Sequence, residues 1–232
     1  MSQWLQLGLM DAYSPVMEEF LYFHDFTNMI LLFILLFVGV MMTSMATNTF
    51  LYKGLLEGQM LECVWTMIPA IILIQIALPS LSLLYLMEDS PSPDMSVKVV
   101  GHQWFWSYEY SDFWVNNNVL GFDSYMIPEQ DLEPGMLRQL ETDNRVVVPF
   151  MTKMRMLISS SDVLHSWTIP SLGVKADAIP GRINQINFIG LMPGVLYGQC
   201  SEICGSQHSS MPIALELISL KDFNMWLNWM EN

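Results

Sequence analysis

The run TNMILLFILLFVGVMMTSM at residues 27–45 contains no charged residue, and neither does the run CVWTMIPAIILIQIALPSLSLLYLM at residues 63–87. Each run is long enough to cross the hydrocarbon core of a bilayer as a helix. Pro69 and Pro79 are tolerated in a membrane helix, because neighbouring groups satisfy the backbone groups that they free. Two such helices buried in a soluble protein would need a much larger protein around them. The runs therefore predict a transmembrane helical hairpin over residues 27–87, with the lipid bilayer as a partner.

The segments on either side of the first run differ in charge. Residues 46–62 form a short polar loop with Lys53, the only basic residue before Lys98. The N-terminal arm, residues 1–26, holds four acids and no Lys or Arg. The positive-inside tendency places the loop inside and both chain termini outside. Because secretory signals and mitochondrial presequences carry basic residues, we expect no large cleaved targeting segment.

The overall composition excludes some classes of protein. Hydrophobic residues make up 52% of the chain and charged residues 14%, which is too apolar for an ordinary soluble protein. The net charge of −14 argues against DNA or RNA as a partner, because nucleic-acid binders need clustered Lys and Arg. Most of the acids follow residue 87. We therefore expect the C-terminal part to meet a basic partner.

The composition changes at residue 88, and residues 88–232 are predicted to form one further domain. A Ser-Pro-Ser-Pro run at residues 90–93 is a linker signal. Short β-rich runs punctuated by Pro and Gly then recur, which favours a sandwich or a barrel. A capping-box-like start at Ser219 predicts a short C-terminal helix with one apolar face. The β-rich runs are residues 97–110, 145–148, 154–158, 183–189 and 213–218.

The segment YGQCSEICGSQHSSMP at residues 197–212 carries the strongest chemical signal. It places two thiols, an imidazole and a thioether in one loop, and these soft ligands point to copper. A blue-copper loop uses one Cys, one His and a weak axial Met, whereas the extra Cys here allows two thiolates to bridge two metal ions. His165, predicted at a strand end, is the candidate for a second imidazole.

Other interpretations account for single residues of this loop. Zinc usually takes four Cys or His ligands, and the loop lacks a C-x-x-C pair. Cys200 and Cys204 would form a disulfide in an oxidising compartment, as in a plain structural subunit. Met211 would fit a hydrophobic core. None of these explains Cys, Cys, His and Met together. The remaining alternatives are a membrane-tethered mononuclear blue-copper carrier and a quinol-oxidase subunit, which would lack the copper ligands.

Over essentially its whole length the chain resembles subunit 2 of mitochondrial cytochrome c oxidase. The match in the Cys–His–Met loop is highly specific. The segments that carry the resemblance are residues 65–66 with 69–73, and residues 101–110, 162–167, 178–182 and 200–211.

The resemblance implies a two-helix transmembrane hairpin, an all-β cupredoxin-like barrel domain, a short C-terminal helix and a dinuclear copper centre, copper A. The two cysteines would bridge the two coppers, and each histidine would bind one of them. The methionine would be the weak axial ligand of one copper, and the backbone carbonyl of Glu202 would serve the other. The Glu202 carboxylate would also reach a magnesium ion shared with subunit 1. The implied copper ligands are His165, Cys200, Glu202, Cys204, His208 and Met211.

The resemblance also implies a role for the aromatic segment at residues 101–110, which alternation predicts to be one strand. Trp104 would lie at the surface where cytochrome c delivers its electron. The sequence departs from many relatives after Asp112, where they carry more acids. The residues expected to dock cytochrome c are Gln103, Glu109, Asp112, Asp123, Asp143 and Asp162.

The expected function is that of an electron-transfer subunit of an enzyme. Oxygen reduction needs haem and a further copper, and four histidines cannot supply those sites. The chain would accept electrons from cytochrome c and pass them to the haem-containing subunit 1, next to other oxidase subunits. Glu62 matches a residue near the entrance of a proton path into subunit 1. The implied location is the mitochondrial inner membrane, with both termini and the copper domain in the intermembrane space and the short loop in the matrix.

Overall fold

The computed structural model describes residues 5–54, 56–88, 92–115 and 118–231. The predicted linker at residues 90–93 lies partly outside this range, as does part of the segment that follows Asp112. The described chain forms two compact units. One is a helical unit between residues 19 and 89, and the other joins the N-terminal arm up to residue 18 to the residues from 90 onward.

Two long helices confirm the predicted hairpin: α1, Pro15–Thr47, and α2, Gln59–Glu88. Both are long and apolar enough to cross a membrane. Pro69 and Pro79 lie inside α2 without ending it. Helix α1 begins well before the uncharged run, because the Ser14 hydroxyl accepts a hydrogen bond of 3.1 Å from the Met17 amide and caps the first turn. A run of apolar residues marks the part of a helix that lipid covers, and a helix extends beyond that part where water solvates its charges.

Among the residues that the structure describes, the second unit contains ten strands: β1, Met95–His102; β2, Phe105–Val115; β3, Asn118–Ser124; β4, Val146–Pro149; β5, Lys153–Ser160; β6, His165–Ile169; β7, Val174–Ala178; β8, Asn184–Ile189; β9, Gly194–Gln199; and β10, Pro212–Ile218. They form a five-stranded sheet of order β3-β2-β1-β5-β8, a three-stranded sheet of order β4-β10-β9, and the pair β6-β7. Strand β1 lies between antiparallel β2 and parallel β5. This architecture confirms the predicted sandwich or barrel.

The prediction of one continuous strand over residues 101–110 is wrong. The segment is a hairpin in which β1 ends at His102, Gln103 and Trp104 form the turn, and β2 begins at Phe105. His102 pairs with Phe105 across the turn. Alternation alone could not reveal this reversal, because the turn residues are not the Gly, Asn or Asp that usually mark one.

The core of the β unit is built around buried aromatic residues. Trp106, Tyr108 and Tyr110 alternate along β2 and are at most 1% exposed. The Trp167 indole on β6 donates a hydrogen bond of 3.3 Å to the Tyr108 hydroxyl, which joins two of the sheets. Trp106 and Tyr108 are therefore core residues of the β unit.

The two ends of the chain pack onto this unit. In the N-terminal arm, the Tyr13 amide donates to the Ser171 carbonyl at 2.9 Å, and the Tyr13 carbonyl accepts from the Leu191 amide at 2.9 Å. At the other end, the Ser219 hydroxyl caps α3, Leu220–Glu231, by accepting from the Asp222 amide. This confirms the predicted C-terminal helix, whose Phe223 is buried in the core.

Candidate metal centre

Two segments of the β unit bring the candidate metal ligands together. His165 is the first residue of β6, which confirms its predicted place at a strand end. The second segment is the loop between β9 and β10, which begins at Cys200 and ends at Met211. Pairing of Gln199 with Pro212 closes this loop at its base. The Ser201 amide donates to the Ser166 carbonyl at 3.1 Å and so ties the loop to β6.

The donor atoms of all six predicted copper ligands lie within one small cluster. The ligand atoms of His165, Cys200 and Cys204 lie within 4.8 Å of one another. Around this trio, Cys200 Sγ lies 3.9 Å from His165 Nδ1 and 3.3 Å from the carbonyl oxygen of Glu202. Cys204 Sγ lies 3.5 Å from His208 Nδ1 and 3.4 Å from Met211 Sδ. Each thiol therefore stands next to one imidazole and one weaker donor.

This cluster is shielded from solvent and rich in sulfur. His165, Cys200, Cys204 and Met211 are buried, whereas His208 and Glu202 are half-buried. All three cysteines lie within the described residues and are free thiols. Two thiols, two imidazoles and a thioether in one closed site form a donor set suited to copper. Because protein groups would fill every ligand position, none would be open to a substrate. Such a site suits electron transfer.

The electrostatics of the two thiols indicate a site built for a cation. Burial raises the pKa of Cys200, but hydrogen bonds with His165 and the loop backbone outweigh burial, and the pKa falls below the usual range. Burial and repulsion from the neighbouring Cys200 raise the pKa of Cys204. The protein alone therefore ionises one thiol readily but not both. A bound metal cation supplies the positive charge that stabilises two adjacent thiolates.

Asp162 orients the imidazole of His165. Its Oδ1 lies 2.9 Å from His165 Nε2, so that Nδ1 faces Cys200. Such a carboxylate fixes the tautomer and direction of a metal-binding imidazole. Burial opposes ionisation of Asp162, but hydrogen bonds from His165, Val163 and Gln103 lower its pKa. Sequence reasoning treated Asp162 only as a docking residue, although the Asp-x-x-His spacing could have signalled this contact.

The turn between β1 and β2 lies against the same loop. Gln103 Nε2 donates a hydrogen bond of 2.7 Å to the Cys204 carbonyl. The half-buried Trp104 ring lies beside Gly205, where a Cβ atom would come within 3.1 Å of it. Trp104 is thus close to a copper-ligand segment, although its role in accepting electrons stays a prediction.

The predicted docking acids lie apart from the metal ligands, except for Asp162. Asp112, Asp123, Asp143 and Asp162 are exposed. Glu109 is half-exposed, and its Oε2 pairs with Lys98 Nζ at 2.8 Å. In the helical unit, Glu62 is exposed in the first turn of α2. The docking roles and the role of Glu62 stay predictions.

A pair of membrane-spanning helices, a cupredoxin-like domain and a buried thiolate–imidazole–thioether cluster together define a membrane-bound copper protein of the electron-transfer class. Comparison with known proteins identifies the particular family. Residues 2–83 match the transmembrane domain of cytochrome c oxidase subunit II, and residues 95–218 match its periplasmic domain. The chain belongs to the cytochrome c oxidase subunit II family.

Individual relatives agree with this assignment. Over 227 residues, 98% of each chain, the sequence is 54% identical to cytochrome c oxidase subunit 2 of Periplaneta americana. The periplasmic domain of subunit II of cytochrome oxidase from Bradyrhizobium japonicum is similar, with a TM-score of 0.54 and 41% identity, over 61% of this chain and 96% of that one. A subunit II domain solved as a mixed disulfide with a thioredoxin-like protein gives a TM-score of 0.53 and 40% identity, over 62% and 95%.

These findings confirm that the chain is an electron-transfer subunit of cytochrome c oxidase, and that it is a membrane protein with a copper-binding site. A mononuclear blue-copper carrier is not favoured, because the site contains two cysteine thiols. A quinol-oxidase subunit on the same scaffold would lack the ligands that this chain retains.

Proposed function

We propose that this subunit takes electrons from cytochrome c at a dinuclear copper A centre and passes them to the haem-containing subunit 1, where oxygen is reduced to water. The observation that carries the proposal is the convergence of four further donor atoms around two adjacent thiols. A copper pair held by these residues would supply one-electron redox chemistry, with its charge shared over two metals and two sulfurs.

The arrangement of the donors supports a symmetrical division of roles. Cys200 and Cys204 would be shared by both ions, since the two thiols are adjacent and each stands beside one of the two imidazoles. His165 would bind one ion, and the Glu202 carbonyl oxygen would be a further ligand of that same ion. His208 would bind the other ion, with Met211 as its weak axial ligand.

Glu202 would serve a second metal through its side chain. Its carbonyl oxygen faces Cys200, and its side chain is half-buried. That carboxylate would bind a magnesium ion together with residues of subunit 1. Hard cations such as magnesium prefer carboxylate oxygen, which separates this site chemically from the sulfur-rich copper site.

The test of the proposed function is the electron paramagnetic resonance spectrum of the copper-loaded protein. An electron shared over two coppers gives more hyperfine lines than an electron on one copper. We expect the two-copper pattern, together with two copper ions bound per chain. A single-copper pattern would instead support a mononuclear carrier.

Replacing the axial ligand, as Met211→Leu, is expected to keep copper bound and to shift its reduction potential. A weak axial ligand tunes a copper site more than it holds the metal. Met211 is 1% exposed, so that a leucine of similar volume should preserve the packing at a cost below about 1.5 kcal/mol. Redox titration of the copper absorption measures the shift. Complete loss of copper from a folded protein would contradict this role.

The face that receives cytochrome c would surround Trp104 and carry the exposed acids Asp112, Asp123 and Asp143. Glu109 would attract a basic partner less strongly, because its carboxylate is paired with Lys98. Acids on one face attract a basic partner and raise the rate of encounter. Trp114 and Val115 stand where relatives often carry acids, so apolar contacts would take a larger share of docking here.

Neutralising a docking acid, as Asp112→Asn or Asp143→Asn, is expected to slow association with cytochrome c at low salt by roughly twofold to fivefold. One charge gives only a small part of the rate increase that the summed charges of a face produce. Asparagine keeps an oxygen that can accept the hydrogen bond from the Ser96 amide at position 112. At physiological salt the effect should shrink, because the Debye length is about 8 Å. Stopped-flow mixing across a salt series measures the rates.

The matched control for these substitutions is Asp25→Asn, which neutralises an acid of the helical unit. It should leave the association rate unchanged. Association that is indifferent to salt and to both Asp112→Asn and Asp143→Asn would refute electrostatic docking. In every variant the copper spectrum should stay that of the unsubstituted protein.

For the membrane part, we infer a location in the mitochondrial inner membrane. The copper domain and both termini would face the intermembrane space, with the loop that contains Lys53 in the matrix. The acidic arm and the lysine in the loop support this direction of insertion. Glu62, at the start of α2, would then lie at the matrix side, where a carboxylate could pass protons toward subunit 1.

A further inference from the structure

Gln103 contacts both segments that carry the copper ligands. Its backbone amide donates a hydrogen bond of 2.7 Å to Asp162 Oδ2, and the other oxygen of that carboxylate lies 2.9 Å from His165 Nε2. Its side-chain amide donates to the carbonyl oxygen of Cys204 at 2.7 Å. The turn between β1 and β2 is therefore tied at two points to the metal centre.

Trp104, the next residue in this turn, has no comparable hydrogen bond of its own. Its indole N–H is buried and has no partner among the described residues. The position of the ring therefore depends on packing and on what holds the turn.

Gly205 provides the space in which the turn meets the ligand loop. A Cβ atom at this position would lie 3.1 Å from the Trp104 ring and 3.2 Å from Gln103 Nε2. The residue has φ of +129°, a conformation that favours glycine. The ring of Trp104 and the amide of Gln103 thus lie side by side on the bare backbone that follows the ligand Cys204.

We propose that Gln103 is a positioning residue for electron transfer into the copper site, which acts by holding the Trp104 ring against the Cys204–Gly205 backbone. The proposal rests on the proposed function of Trp104 as the point where electrons enter. It gives Gln103 a function different from the docking contact that sequence reasoning assigned to it. The donor amide is essential to this function, because the group that it meets is a carbonyl oxygen.

The test uses the complete oxidase with Gln103→Leu and Gln103→Glu. Leucine removes the donor, and glutamate places a carboxylate opposite the Cys204 carbonyl, whereas the backbone contact with Asp162 remains in both. The probe is cytochrome c carrying an attached photoreductant, bound beforehand at low salt. A flash then starts the reaction, and the first-order rate of copper reduction is read from the copper absorption. Stopped-flow mixing gives the association rate separately.

We expect both substitutions to slow the bound-state transfer by up to about fivefold, the factor that corresponds to losing a hydrogen bond of about 1 kcal/mol. The association rate of Gln103→Leu should not change. Glutamate adds a negative charge, so Gln103→Glu should associate with the basic partner as fast as the unsubstituted protein or faster, and still transfer more slowly once bound. The control, Gln130→Leu, replaces an exposed glutamine outside the site and should change neither rate.

Several outcomes would overturn the proposal. An unchanged bound-state rate with altered association would show that Gln103 acts in docking. Loss of the copper spectrum in Gln103→Leu would show that the amide holds the ligand loop itself rather than Trp104. Trp104→Ala, measured in parallel, separates the role of Trp104 in electron entry from the role of Gln103 in positioning it. If Trp104→Ala leaves the bound-state rate unchanged, the proposed function of Trp104 fails. If only Trp104→Ala slows transfer, that function stands and the positioning role of Gln103 fails.

Discussion

Replacing either loop cysteine with serine, as Cys200→Ser or Cys204→Ser, is expected to abolish the two-copper spectrum. Each thiol lies within 4 Å of an imidazole nitrogen and of a second donor in its own half of the site. Because each thiolate would also be shared by both ions, each substitution should remove a ligand from both of them. A serine hydroxyl is a hard, weakly acidic ligand and cannot replace a bridging thiolate for copper. Copper affinity should fall by more than about 100-fold. Losing a residue that only supports a ligand already lowers affinity by up to about 100-fold, and these substitutions remove a ligand itself.

The matched control is Cys63→Ser, which changes the remaining free thiol, on helix α2. It should keep the two-copper spectrum and the copper content. Electron paramagnetic resonance and metal analysis of all three variants make the comparison. If either loop variant retained the two-copper spectrum, the bridging assignment would be wrong.

Gly198→Ala is expected to separate the two ligand-bearing segments and to destabilise the β unit. A Cβ atom on Gly198 would lie 1.8 Å from the carbonyl oxygen of Thr168, a distance at which the backbones must move apart. Gly198 lies on β9, which leads into Cys200, and Thr168 lies on β6, which begins at His165. We expect a loss of about 3 kcal/mol or more in the free energy of unfolding, since this overpacking involves rigid backbone.

Thermal unfolding and copper absorption measure the two consequences of this substitution. The control is Gly121→Ala, also on a strand, where the nearest atom would be 3.2 Å from the new Cβ. It should cost far less and leave copper binding unchanged. Equal effects of the two substitutions would show that close contact between β6 and β9 is not what assembles the site.

The copper loop could be identified from the sequence because its ligands are close neighbours in the chain. Cys200, Cys204, His208 and Met211 fall within one short segment, so their spacing alone restricts them to a common site. The membrane hairpin was predictable for a related reason, since the hydrocarbon core imposes a continuous apolar length on any helix that spans it.

Features that depend on contacts between distant residues were not predictable in the same way. The reversal at Gln103 and Trp104 breaks the alternation of residues 101–110, and only the pairing of β1 with β2 defines it. The predicted docking role of Asp162 overlooked its hydrogen bond to His165, which depends on how β6 begins. The need for glycine at positions 198 and 205 was also not predictable, because it arises from other strands and turns that pack against them.

By itself, the sequence determined the composition of the site and the division of the chain into a membrane hairpin and a β domain. Ligand identity, apolar length and local spacing are properties of neighbouring residues, and they do not depend on the rest of the fold. The tertiary structure showed how close His165 lies to the loop, which carboxylate orients its imidazole, and what holds the aromatic turn on the ligand segment. Those relations join residues up to 101 positions apart in the chain, such as Gln103 and Cys204, and only the packing of the strands brings such groups within hydrogen-bond distance.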